Sequence, residues 1–139
     1  MGLKMNKETY DLNHTSISPA IKESERFILF LNKKFGLELK KDWIITISKT
    51  KPSNYGHFQA QAIENTTKKL NNINLNLIYL KDYNPYEVLT HELAHYINFT
   101  KGINDCSSNQ YHNKHFKTQA EQLLLKVERT CIQFTKFII

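Results

Sequence analysis

Asn84-Pro-Tyr-Glu-Val-Leu-Thr-His-Glu-Leu-Ala-His95 carries a helix start and, one turn later, two histidines four residues apart. Asn84 is a good N-cap, because its side-chain oxygen can accept from the unpaired amides of the first turn. Pro85 suits the first helical position, where its missing N–H costs nothing. Glu87 stands three residues after the cap, within reach of the Asn84 amide. The spacing predicts a helix to about Thr100, ending before Gly102, with Leu89, Leu93, Tyr96 and Ile97 on its core side. On such a helix His91 and His95 lie on one face, about 6 Å apart at Cβ. Two imidazoles at that separation converge on one zinc ion with Zn–N distances of about 2.0–2.1 Å. Glu92 is turned about 100° from His91, beside the metal rather than on it. There it takes a proton from a water that attacks a carbonyl and passes it to the leaving amine. The pattern H-E-x-x-H thus predicts one Zn²⁺ per chain, with His91 and His95 as ligands and Glu92 as catalytic base.

A catalytic zinc needs a third protein ligand and an open position. The compact metzincin extension is excluded, because Asn98 and Lys101 stand where it requires Gly and His. Asp105 offers an oxygen from a polar loop, and Glu121 would serve in a gluzincin-like arrangement. Tyr111-His-Asn-Lys-His-Phe116 offers two histidines, His112 and His115, around the start of another helix. Geometry leaves both open; His115, if not a ligand, can face a developing oxyanion, and Tyr111 can donate to a tetrahedral intermediate or pack at the rim.

Outward from this region the elements follow in order. Ser18 is expected to cap a first helix with Pro19 at its first position. Ile21, Ser24, Ile28, Leu31 and Phe35 fall on one stripe, Phe27, Leu29 and Phe30 widen it, and Gly36 ends it. Trp43–Ser48 is β-branched and reads as a strand, with Trp43 in the core. Pro52–Gly56 is turn chemistry and His57–Ile63 alternates as a second strand. Within it His57 reads as a half-buried strand histidine, with a contact to substrate as the alternative. Asn71-Asn72 reads as a turn, and Ile73–Leu80 as a third strand. A third helix is expected from Asn113 to about Lys126 on the stripe Phe116, Ala120, Leu123, Leu124 and Val127. Residues 129–139 read as a closing strand or docked tail. Residues 1–16, which include His14, are polar and expected to be a loosely held arm; residues 17–139 then form a single domain.

The chain has 139 residues, 40% hydrophobic and 12% aromatic, which is a globular composition long enough for a core without disulfides. Its two cysteines, Cys106 and Cys131, form no C-x-x-C pair and read as free thiols. No apolar run has the length of a membrane span and the N-terminus lacks a signal-peptide core, so the expected location is the cytoplasm, with no membrane partner. The net charge of +6 favours polyanions, although the lysines are scattered, as on many solvated surfaces.

From about Tyr55 to Val127 the chain resembles the SprT family of zinc metallopeptidase domains, related to the DNA-dependent protease Spartan. The resemblance rests on His91-Glu-Leu-Ala-His95 and on Tyr111-His-Asn-Lys-His-Phe116, which stands where the family has Gly-His-Gly-x-x-Phe. Both family glycines are replaced, by Tyr111 and Asn113. The resemblance implies His112 as third ligand and places His115 at a variable position. It implies an α+β, zincin-like fold: an N-terminal helix, a small twisted sheet of three to four strands, and two helices carrying the metal site. It further implies hydrolysis of peptide bonds in a protein substrate, with DNA-associated proteins as a substrate class and weak, non-specific DNA binding. No cysteine set is present to build the family's C-terminal zinc ribbon. Two rival classes stand beside this reading: a non-proteolytic regulatory module with zinc kept for structure, marked by a fourth ligand such as Asp105 or His115, and a protease dedicated to one repressor-like partner. Substrate identity and oligomeric state are not legible.

Overall fold

The first helix, α1 (Ser18–Phe35), starts one residue earlier than its capping signal implies: Ile17 is the cap residue and makes no side-chain cap bond. Gly36 closes it in the left-handed conformation, φ 60°, as its lack of a Cβ allows. In the computed structural model, residues 4–12, 16–64, 67–106, 112–127 and 135–137 are described. The remaining elements are β1 (Trp43–Ser48), β2 (Gly56–Glu64), β3 (Lys69–Asn76), α2 (Pro85–Thr100), α3 (Lys114–Gln122), β4 (Leu125–Val127) and β5 (Thr135–Phe137). Short 3-10 turns occupy Lys7–Tyr10 and Leu77–Tyr79. The fold is α+β: the described residues form three α-helices and a small mixed sheet in the order β1-β3-β2. β1 runs parallel to β3, and β2 antiparallel to it. β4 and β5 form a separate two-stranded antiparallel ladder.

One core joins these parts. Ile45, Ile47, Ile73 and Leu75 of the sheet are buried with Phe27, Ile28 and Leu31 of α1 and with Leu89, Leu93, Tyr96 and Ile97 of α2. Full burial of side chains of this size contributes about 1.5–3 kcal/mol each. Trp43 is half-buried against the same cluster, as expected, whereas Leu29 of α1 faces solvent. Tyr10, in the N-terminal stretch expected to be loosely held, is buried and hydrogen-bonded to Ser24 Oγ at 2.7 Å.

Two expectations are corrected. Asn71-Asn72 is not a turn: β3 begins at Lys69 and ends at Asn76, so the expected third strand is displaced toward the N-terminus. The asparagines stay in the strand because their side-chain oxygens each accept a bond there. Asn71 Oδ1 accepts from the Gln61 amide across a bulge in β2, where Gln61 has φ 51°. Asn72 and Asn74 accept from the Thr46 hydroxyl, and Asn76 bonds Lys51 and Asn54 carbonyls and the Thr50 amide. The second correction is α3, which stops at Gln122. Leu123 and Leu124 close a tight turn, Leu124 takes a left-handed φ of 66°, and the chain continues as β4. The expected closing strand is present at Thr135–Phe137; the other residues of the 129–139 stretch lie outside the described residues.

Candidate metal centre

Helix α2 is the platform of the site. Asn84 caps it, accepting from the Tyr86 amide, and Pro85 opens it. The carboxylate of Glu87, expected to fold back on the cap, accepts instead from the Phe137 amide of β5. Nearly every side of α2 is covered, so His91 and Glu92 are buried at 7% and 5% exposure between the sheet and α3. Glu92 lies beneath Gly56 at the start of β2. A Cβ there would stand 2.6 Å from Val88 Cγ1, 2.7 Å from the Asn74 carbonyl oxygen and 3.6 Å from Glu92 Cγ. Only glycine permits strand and helix to approach this closely.

His112 arrives from outside the helix. It forms an isolated antiparallel bridge with Cys106, the Asn113 amide donates to the Asp105 carbonyl, and Asn113 Nδ2 donates to the Asn104 carbonyl. Asn113 then caps α3, accepting from the His115 and Phe116 amides. The buried Phe116 ring stacks on the His112 ring at 3.8 Å, which fixes its plane. The Phe in the H-x-x-x-F spacing is therefore a packing support for the histidine four residues before it.

The structure brings His91, His95 and His112 together, with one ligand-capable atom from each within 4.8 Å of the others. Their ring centroids are 4.8–5.0 Å apart. His91 Nε2 and His95 Nε2 are 3.3 Å apart. That matches the edge of a tetrahedron of ligands about 2.0–2.1 Å from a central zinc, which is about 3.3–3.4 Å. Burial first, then the neighbouring histidines, holds the His91 imidazole well below its ordinary pKa. The same causes, burial and then His95, push His112 down to about 3. Both are therefore neutral near pH 7, the form that ligates metals. The Nδ1 of His112 is buried and has no hydrogen-bond partner among the described residues. A trio of converging imidazoles is a donor set suited to zinc.

Asp105 is placed to orient the trio. Its Oδ2 accepts from His95 Nδ1 at 2.8 Å and from Asn98 Nδ2 at 3.0 Å. Burial opposes its ionisation, but the bonds from His95 and Asn98 prevail and hold its carboxyl below the ordinary value. With Nδ1 donating to Asp105, His95 Nε2 is left as the lone-pair nitrogen that faces His91. Cys106 forms a second cluster with His95 and Asp105, but burial and the Asp105 charge push its thiol up to about 12, so it stays protonated. Glu92 Oε2 lies 3.9 Å from His91 Nε2, at the edge of the trio. Burial raises its carboxyl to about 7.

His115 and Glu121, both weighed as ligands, are exposed on α3 and stand outside the group. Tyr111 and His14 lie outside the described residues. His57 lines the cleft and is half-buried. The cleft, about 500 Å³, runs past Gly56, Glu92 and the three histidines to Phe99 and Ile103. Sequence reasoning missed Gly56 and the orienting role of Asp105. A glycine opening a strand was a signal for the first; nothing in the spacing marked the second.

Compared with known proteins, the family model described as SprT-like family matches residues 24–136. No curated protein and no solved structure matches the chain significantly.

Proposed function

The chain belongs to the SprT-like family, and from that premise we propose that it is a zinc-dependent metallopeptidase of zincin type with His91, His95 and His112 as ligands and Glu92 as general base. The observation that carries this reading is the convergence of three imidazoles beside a buried carboxyl in an open cleft. When bound, zinc supplies a Lewis acid that polarises a carbonyl and makes water nucleophilic near neutral pH.

The chain's own groups do the rest. Among the described residues β2 pairs only with β3, so its other edge is free to hydrogen-bond an extended peptide as an added strand. Such a peptide lies along the cleft with its carbonyl near the histidines. Glu92 accepts the proton of the attacking water as the new C–O bond forms at the carbonyl carbon. It returns that proton to the amide nitrogen as the C–N bond breaks, leaving an amine and a carboxylic acid, and the acid's proton passes to the amine to give a carboxylate and an ammonium. Asp105 keeps His95 in one tautomer and orientation. Zinc kept only for structure finds no support in the two residues weighed as fourth ligand: Asp105 is engaged by His95, and His115 is exposed.

The test is Glu92→Gln, nearly isosteric and unable to accept the proton. Zinc content by atomic absorption should be unchanged while peptide hydrolysis falls about 10²–10⁴-fold. Turnover equal to wild type removes Glu92 from the mechanism. Absence of hydrolysis by the zinc-loaded wild type across a diverse peptide library overturns the peptidase reading.

A further inference from the structure

Along α2 the row His91, His95 continues by one more helical turn to Phe99. Most of the helix is buried, yet Phe99 is 40% exposed, and its exposed ring lines the same cleft as the histidines. Its ring lies 5.8 Å from that of Phe58, tilted by 52°. Phe58 in turn packs on Tyr96, 5.7 Å away, so one side of this aromatic pair is anchored in the core. Ile103, just beyond the helix, also lines the cleft and is half-buried. The loop holding it is fixed, because the Ile103 amide donates to the Asn98 carbonyl and Asn98 Nδ2 donates to Asp105. The wall beyond His95 is thus apolar and rigid. At the other end Asn54, Gly56 and Glu92 make the lining polar.

We propose that Phe99, with Phe58 and Ile103, forms a specificity pocket for a large apolar side chain next to the scissile bond. The inference rests on the peptidase reading and adds to it a preferred substrate class. A peptide lying along β2 with its carbonyl at the histidines projects the side chain on the α2 C-terminal side toward Phe99. An aromatic or long aliphatic group there removes the exposed ring face from water, and a charged or small side chain does not. A pocket of this kind discriminates by about tenfold or more between a filling and a non-filling side chain.

The experiment uses the zinc-loaded full chain and a peptide library varied on both sides of the cleaved bond. The expected result is enrichment of Phe, Leu or Met at one position adjacent to the cleavage point. In Phe99→Ala the kcat/KM advantage of those peptides over a glycine analogue should fall about tenfold, with zinc content and Tm unchanged. Phe99→Glu should move the preference at that position to Lys or Arg. Cleavage with no enrichment, or enrichment that both variants retain, overturns the pocket while leaving the peptidase reading intact. If no peptide is cleaved, the peptidase reading fails and the pocket is judged by binding. Zinc-loaded Glu92→Gln should then hold a fluorescent Phe-containing peptide about tenfold more tightly than its glycine analogue, and equal affinities overturn it.

Discussion

Asp105 touches the proposed metal only through His95, and that sets the size of its effect. Removing the carboxylate frees the imidazole to rotate and to change tautomer, so Asp105→Ala should weaken zinc binding about 10–100-fold. Competition with a chromophoric chelator measures this, and an unchanged affinity shows that packing alone orients His95. Of the site residues, His91, Glu92 and His95 were legible because helical periodicity alone puts them on adjacent faces. His112 was legible only through resemblance, since nothing local distinguishes it from His115. What distinguishes them is tertiary: His112 pairs with Cys106 and stacks on Phe116, whereas His115 falls on the solvent side of α3. Gly56 and Asp105 act through contacts with residues distant in sequence or on another turn, which spacing rules do not reach.

α1 and α2 are joined by a polar contact as well as by their shared core. Tyr86 donates to Glu23 Oε2 at 2.8 Å and accepts from the Asn6 amide, and Arg26 forms two bonds with the same carboxylate. The Arg26 bonds first, against burial and with help from Tyr86, hold the Glu23 carboxyl below its ordinary value. A carboxyl depressed in the folded state is protonated first in the unfolded chain. Its stabilisation is therefore complete above the ordinary carboxylate pKa and is lost as pH falls through the folded value. Urea unfolding of wild type and Glu23→Gln should show a stability gap at pH 7 that closes below about pH 4. A gap independent of pH assigns the effect to packing. Elements with local signals, the Asn84-Pro85 start of α2 and the β-branched run of β1, were legible. β3 was not, because paired asparagines usually mark a turn; here each amide finds partners on neighbouring strands and loops. α3 was overextended because its apolar stripe continues through Leu123 and Leu124 while the backbone turns left-handed.

At the scale of the whole molecule the surplus of +6 is a prediction in itself. We propose that it gives weak, sequence-independent DNA binding carried by phosphate contacts. Affinity should then fall with salt, each neutralised phosphate contributing about −0.9 to the slope of log K against log salt on duplex DNA. Fluorescence anisotropy with a labelled duplex across a salt series checks this, and no binding at low salt reduces the charge to a solvated surface. No helix among the described residues is long and apolar enough to cross a membrane. The same scale gives a different meaning to the way the histidines are supplied. Two come from one helix and the third from the far side of the chain between residues 95 and 112. An ion shared by all three would be, in polymer terms, a reversible cross-link between residues 95 and 112, whose ligation offsets the entropy lost in bringing those ends together. Ligation at free zinc a hundred times above the dissociation constant adds about 2.7 kcal/mol. A strong chelator should therefore lower Tm and, in hydrogen exchange, release residues 103–106 and 112–113 before the sheet. In the proposed zinc form the catalyst and the clasp of the fold would be the same atom.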